Sequence, residues 1–170
     1  MYKLNDIYAC KTEKELFQLW KTKDKYDTYF VESNTKIEIT INHRNVFIEG
    51  GKHILFILKE AYGGEDDWSL SEEVKKNAPW SAVWNRIVEW TYGISLTTVN
   101  TIARYEPSKI SLEKPNPWLN QIAVLNIKKS GGKSQSYYGE IAAYADYDSA
   151  EIIRQIEIIN PDIIVCGATF

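Results

Sequence analysis

Apolar residues run almost unbroken at three places in this chain. They are Ile54-Leu55-Phe56-Ile57-Leu58, Ile122-Ala123-Val124-Leu125 and Ile163-Ile164-Val165. Runs this short and this apolar suit strands covered on both faces, as in a parallel sheet. The pattern predicts strands over 53–59, 122–127 and 162–166. Elsewhere the period is helical. Leu16, Leu19 and Trp20 share one face of a segment over 12–33, and Thr12 with Glu15 forms a capping box at its start. A helix over about 80–92 carries Val83, Trp84, Ile87, Val88 and Trp90, with Gly93 as its stop. A second is expected over 95–104. Ile152, Ile153, Ile156 and Ile159 face inward from a helix over 146–159, which starts near Asp146 or Asp148 and ends at Asn160-Pro161. Over 36–49 the pattern alternates, with Ile37, Ile39 and Ile41 on one face, as in an antiparallel or edge hairpin. Gly50-Gly51 breaks it.

Strand, crossover helix, strand is the βαβ pattern. The reading is therefore an α/β domain over 51–170 with an N-terminal helix and hairpin appendage over 1–50 that packs on the main sheet. A further helix and strand would normally follow the third strand, so the domain is expected to be incomplete at its C-terminal end.

Composition narrows the class. With 170 residues, 44% hydrophobic and 25% charged, the chain reads as an ordinary globular domain. Aromatics reach 13%, including six Trp and eleven Tyr, an excess for a core, an interface or a stacking surface. The net charge of -3 gives no global support for a nucleic-acid coat. Cys10 and Cys166 form no metal-spacing motif and suit a reducing compartment. No apolar stretch approaches the ~20 residues of a membrane span. Met1-Tyr2-Lys3-Leu4-Asn5-Asp6 lacks a signal peptide's apolar region. The expected location is cytoplasmic, with no membrane partner.

Each strand ends in groups with chemistry, and ligands in open α/β sheets bind at the carboxyl ends of strands. Glu60 follows the first strand and precedes Ala61-Tyr62-Gly63-Gly64, a loop able to wrap a small ligand. Its carboxylate suits a general base on water, or equally a Lys59-Glu60 pair that caps the strand. Asn126 ends the second strand. Its amide reads an edge of alternating donors and acceptors, or caps a turn. Lys128, Lys129, Ser130, Gly131, Gly132, Lys133, Ser134 and Ser136 form a basic, hydroxyl-rich loop, either a phosphate contact or a solvated loop. It lacks P-loop spacing. Gly167 ends the third strand. Trp80 is a stacking surface for a base or a core residue. Glu65, Asp66 and Asp67 offer metal ligands or a solvated turn, and neither metal nor cofactor is expected.

In order and rough spacing over 53–169, these motifs resemble the uracil-DNA glycosylase superfamily. The likeness is to the thermophile-type branch whose first motif reads Gly-Glu-Ala-Pro-Gly and then Glu-Asp. The matching stretches are Lys59-Glu60-Ala61-Tyr62-Gly63-Gly64-Glu65-Asp66, Pro79-Trp80, Leu125-Asn126-Ile127-Lys128-Lys129, and Arg154-Gln155-Ile156 followed by Pro161 and Gly167-Ala168. The resemblance implies a three-layer α/β/α sandwich with a mostly parallel sheet. It implies a flipped base or nucleotide bound at the strand ends, with Glu60 positioning water, Tyr62 and Trp80 against the base, and Asn126 reading its edge. Gly63, Gly64, Lys128, Lys129, Ser130, Lys133 and Gly167 would touch the backbone. Lys59 and Tyr62 replace the branch's first Gly and its Pro. The four cluster cysteines and the C-terminal His motif are missing. Two functions are expected from this: hydrolysis of an N-glycosidic bond, or a non-catalytic nucleic-acid or nucleotide-binding module on the same fold.

Overall fold

The structure is a computed structural model that describes residues 2–23, 31–32, 52–62, 68–69, 82–106, 110 and 117–167. Its elements are α1 (Leu4–Ala9), α2 (Glu13–Trp20), β1 (Val31–Glu32), β2 (Ile54–Leu58), β3 (Ala61–Tyr62) and β4 (Trp68–Ser69), then α3 (Ala82–Leu96) and a 3-10 turn at Pro117–Gln121. β5 (Ile122–Asn126), β6 (Gly131–Gly132), α4 (Tyr138–Tyr147), α5 (Ser149–Ile159) and β7 (Ile163–Cys166) complete it.

The three apolar runs form one parallel sheet in the order β5-β2-β7. Leu58 pairs with Asn126 and Ile57 with Cys166, so all three strands end at one edge. β2 and β5 are apolar on both faces because both are covered, whereas β7, expected to be buried like them, leaves Ile164 45% exposed. Ile54, Phe56, Ile122 and Val124 meet Ile87, Val88 and Tyr92 of α3. Leu55, Ala123 and Leu125 face the other way, against Ile152, Ile156 and Ile159 of α5. Each such fully buried side chain contributes about 1.5–3 kcal/mol. The molecule is thus a mixed α/β fold with a small parallel sheet and flanking helices. Two short parallel pairs, β1 with β4 and β3 with β6, stand beside this sheet.

The N-terminal helices reach the sheet mainly through α5. Ile7, Leu16, Phe17, Trp20 and Tyr144 cluster against Ile127, Ile152 and Ile158. Arg154 reinforces this contact, its Nη2 donating to the Cys10 carbonyl at 2.6 Å. The appendage was expected on the sheet itself; a layer of α5 side chains intervenes.

Several helix limits differ from expectation. α2 ends at Trp20, well short of 33, where the Thr22 hydroxyl turns back onto the Leu19 carbonyl at 2.7 Å. The Thr12–Glu15 capping box is present. α1 was not expected. Gly93 does not stop α3, which continues to Leu96. Its end comes where the Thr97 side chain bonds the Gly93 carbonyl at 2.8 Å, and 97–106 holds no second helix. Val83 and Trp90 are half exposed, while Thr91 and Tyr92 are buried instead. The helix expected over 146–159 is α5, which starts at its N-cap Asp148, one of the two expected starts; α4, just before it, was not expected. Ile153 is half exposed; Glu151 and Gln155 take the buried positions. Asn160 ends α5 in the left-handed region at φ 50, as its sequence position suggested. The hairpin over 36–49 lies outside the described residues.

Candidate functional site at the strand ends

Beyond Leu58 and Asn126, β2 and β5 stay together. Ile127 and Lys128 donate their N–H groups to the Leu58 and Lys59 carbonyls, both at 2.9 Å. Pairing then resumes between Ala61 and Gly131 and between Tyr62 and Gly132. Residues 59–60 on one chain segment therefore face 127–130 on the other, two extra residues on the second side. A bulge of this kind re-aims side chains at a sheet edge. Lys128 turns to Glu60, and Lys129 turns to the opposite side.

Lys128 Nζ lies 3.0 Å from Glu60 Oε2 and 2.8 Å from Glu140 Oε1. The Glu60 and Lys128 side chains are only 5% and 9% exposed, whereas Glu140 is 48% exposed. Lys128 also lies 5.5 Å from the Tyr144 ring centre. Ser136 and the Lys133 main chain, on the same loop, also favour the charged carboxylate. Burial pushes the Glu60 pKa up, but the Ser136 and Lys128 hydrogen bonds, the Lys128 charge and the Lys133 N–H outweigh it. The carboxyl is held below its ordinary range and is ionised at neutral pH. Burial also pushes Lys128 down, and its two carboxylate partners more than reverse this. The cation paired with Glu60 is Lys128, where sequence spacing had suggested Lys59.

Gly132 makes the arrangement possible. A Cβ there would lie 2.3 Å from Glu60 Cδ and 2.4 Å from its Cγ. A side chain at 132 would require the Glu60 carboxylate to shift from this position. Ser130 anchors the loop's other end, its hydroxyl donating to the Tyr144 hydroxyl at 3.1 Å.

Asn126 is 2% exposed and sits one strand over from Leu58, at the ladder's last register position. A ligand that meets its amide must be enclosed. Gly167 lies at the same edge just past β7, but its N–H is used on the Ile57 carbonyl at 2.8 Å. A Cβ on it would lie 2.7 Å from Leu58 Cδ2, so this glycine serves close strand packing. Lys129 is fully buried on the far side, 2.8 Å from Gln155 Oε1 and 4.9 Å from the Trp20 ring centre, away from the loop surface. Lys133 is exposed. Tyr62 is placed by its backbone in β3. Gly63, Gly64, Trp80 and the cluster Glu65, Asp66 and Asp67 lie outside the described residues. The structure thus brings Glu60, Asn126, Lys128, Ser130 and the Lys133 backbone to one edge. Gly132 and Ser136 of the expected loop join them, and the structure adds Glu140 and Tyr144, which have no motif of their own.

A cavity of about 280 Å³ lies elsewhere, lined by Tyr2, Ile7, Lys23, Tyr147 and Glu151 among others. Its polar groups are spent on one another. Lys23 Nζ meets Glu151 at 2.7 Å, Asp148 at 2.9 Å and the Tyr147 carbonyl at 2.9 Å, which uses all three ammonium donors. Tyr2 donates its hydroxyl to Glu151 at 2.6 Å, and burial with that carboxylate drives the phenol pKa well up. Among the described residues, no group of three or more His, Cys, Asp or Glu side chains could hold a metal ion. Nor is any helix there long and apolar enough to cross a membrane. No family model, curated protein or solved structure matches the chain, so the site stands on its own geometry.

Proposed function

We propose that this chain is a nucleotide- or nucleic-acid-binding module on a uracil-DNA glycosylase-like α/β/α fold. The strand-end edge holds the base, Asn126 reads its hydrogen-bonding edge, and the Lys128 to Ser136 loop meets the backbone. One observation carries this reading. The parallel register aligns Leu58 with Asn126 and Ile57 with Cys166, so groups distant in sequence share one edge of one sheet. Binding without catalysis is the favoured form because of the state of Glu60. An effective general base has a pKa near the working pH and a free lone pair. Glu60 is held low and is engaged by Lys128 at 3.0 Å.

In the second reading, Glu60 orients a water through acceptor positions that Lys128 does not use, for hydrolysis of an N-glycosidic bond. The experiment separating them uses uracil-containing single- and double-stranded DNA. Salt-dependent binding with no abasic product is the expected result. Abasic sites that vanish in Glu60→Gln establish the glycosylase. Neither binding nor product overturns both.

A further inference from the structure

Glu60 occupies a set of donors built for an anion. The Lys128 ammonium donates to its carboxylate at 3.0 Å, and Ser136 and the Lys133 main chain on the same loop favour its charged form. The carboxylate is nearly enclosed, and the loop comes so close that a side chain at 132 would require it to shift. Donors of this kind do not distinguish a carboxylate from a phosphate, which adds a third oxygen and more charge. Successive main-chain N–H groups in a glycine-containing loop form anion-binding concavities. We propose that the Lys128 to Ser136 loop is a phosphate cradle held shut by Glu60, and that a phosphate group enters by taking Glu60's place.

Two features make the exchange physically reasonable. Lys128 keeps a second carboxylate, Glu140, at 2.8 Å, so its charge is not stranded while Glu60 swings out. Lys133 places an exposed side chain on the same loop, where a second cation helps an entering dianion. Glu60 then acts as a competitor: it keeps the cradle folded when empty and sets a threshold for the ligand. The inference rests on the nucleotide reading only for the source of the phosphate.

The test titrates wild type, Glu60→Ala and Glu60→Gln with inorganic phosphate at fixed ionic strength, by calorimetry and by thermal shift. Removing the internal competitor is expected to tighten phosphate binding by about tenfold or more, as for a charged hydrogen-bonded contact. The gain is expected to vanish when Lys128→Met is added. Glu60→Gln keeps the size of the side chain and serves if Glu60→Ala does not fold. Equal affinity in wild type and a folded Glu60 variant overturns the cradle, as does a gain that survives Lys128→Met. A parallel arm uses a nucleoside and its 5′-monophosphate. If inorganic phosphate binds as well as the monophosphate and the nucleoside does not bind, the base-reading proposal falls and the cradle stands. If the nucleoside binds and phosphate affinity does not respond to Glu60, the reverse holds.

Discussion

At the scale of single residues, two positions control most of the physics. Gly132 is the first. Placing a methyl group 2.3 Å from Glu60 Cδ forces the carboxylate away from Lys128. Gly132→Ala is expected to cost about 1–3 kcal/mol, as overpacking does. Much of that cost should disappear in the Glu60→Ala background, a coupling that urea denaturation of the four proteins in the cycle measures. Lys129 is the second. Burial pulls its pKa from 10.5 down to about 7, against the opposing pull of Glu13 and Asp148. The unfolded chain therefore holds a proton that the folded chain has released between those values. Stability rises with pH through that window, and is lost again as pH falls toward 7. The slope from this group approaches ~1.4 kcal/mol per pH unit. Lys129→Met is expected to flatten it, as read from urea midpoints between pH 7 and 10; an unchanged slope contradicts the assignment. Sequence alone placed both Lys128 and Lys129 in one basic loop. Only the two-residue bulge, a feature of strand pairing, sends one to the site and the other into the core.

Elements obey local rules where a local group decides them. The Thr12–Glu15 box fixes the start of α2, with Thr12 Oγ1 accepting from the Glu15 N–H at 3.2 Å. Thr12→Ala is expected to lose about 1 kcal/mol, measured by chemical denaturation. The box was legible because its partners lie three residues apart. The same holds for Asn160, whose left-handed conformation ends α5 just before Pro161. Gly93 misled because glycine stops a helix only when the chain there turns left-handed, and here α3 runs straight through it. Isoleucine spacing located α5 and its start at Asp148, but not α4 before it. Asp148 is fully buried with Lys23 Nζ 2.9 Å away, a contact 125 residues distant in sequence. Such partners leave no periodic trace. Glu151 and Gln155 are buried for the same reason: Gln155 bridges Lys129 and Glu13 at 2.8 and 2.9 Å.

At the scale of the molecule, the parallel sheet was the most legible feature. Three unbroken apolar runs have few other ways to bury both faces, and they pair as β5-β2-β7. Their order brings Glu60 and Asn126 to one edge, as the strand-end rule anticipates. What the sequence did not disclose is how the edge is occupied: the carboxylate faces inward onto Lys128 and the loop, rather than waiting open for water. The most direct test is to map ligand contact by NMR, adding a nucleoside monophosphate to labelled protein. Shifts confined to the Asn126 side-chain amide and the main-chain amides of Gly131, Gly132 and Lys133 are the expected result. Shifts centred instead on the Tyr2, Lys23 and Tyr147 cavity, or none at saturating ligand, would contradict the account.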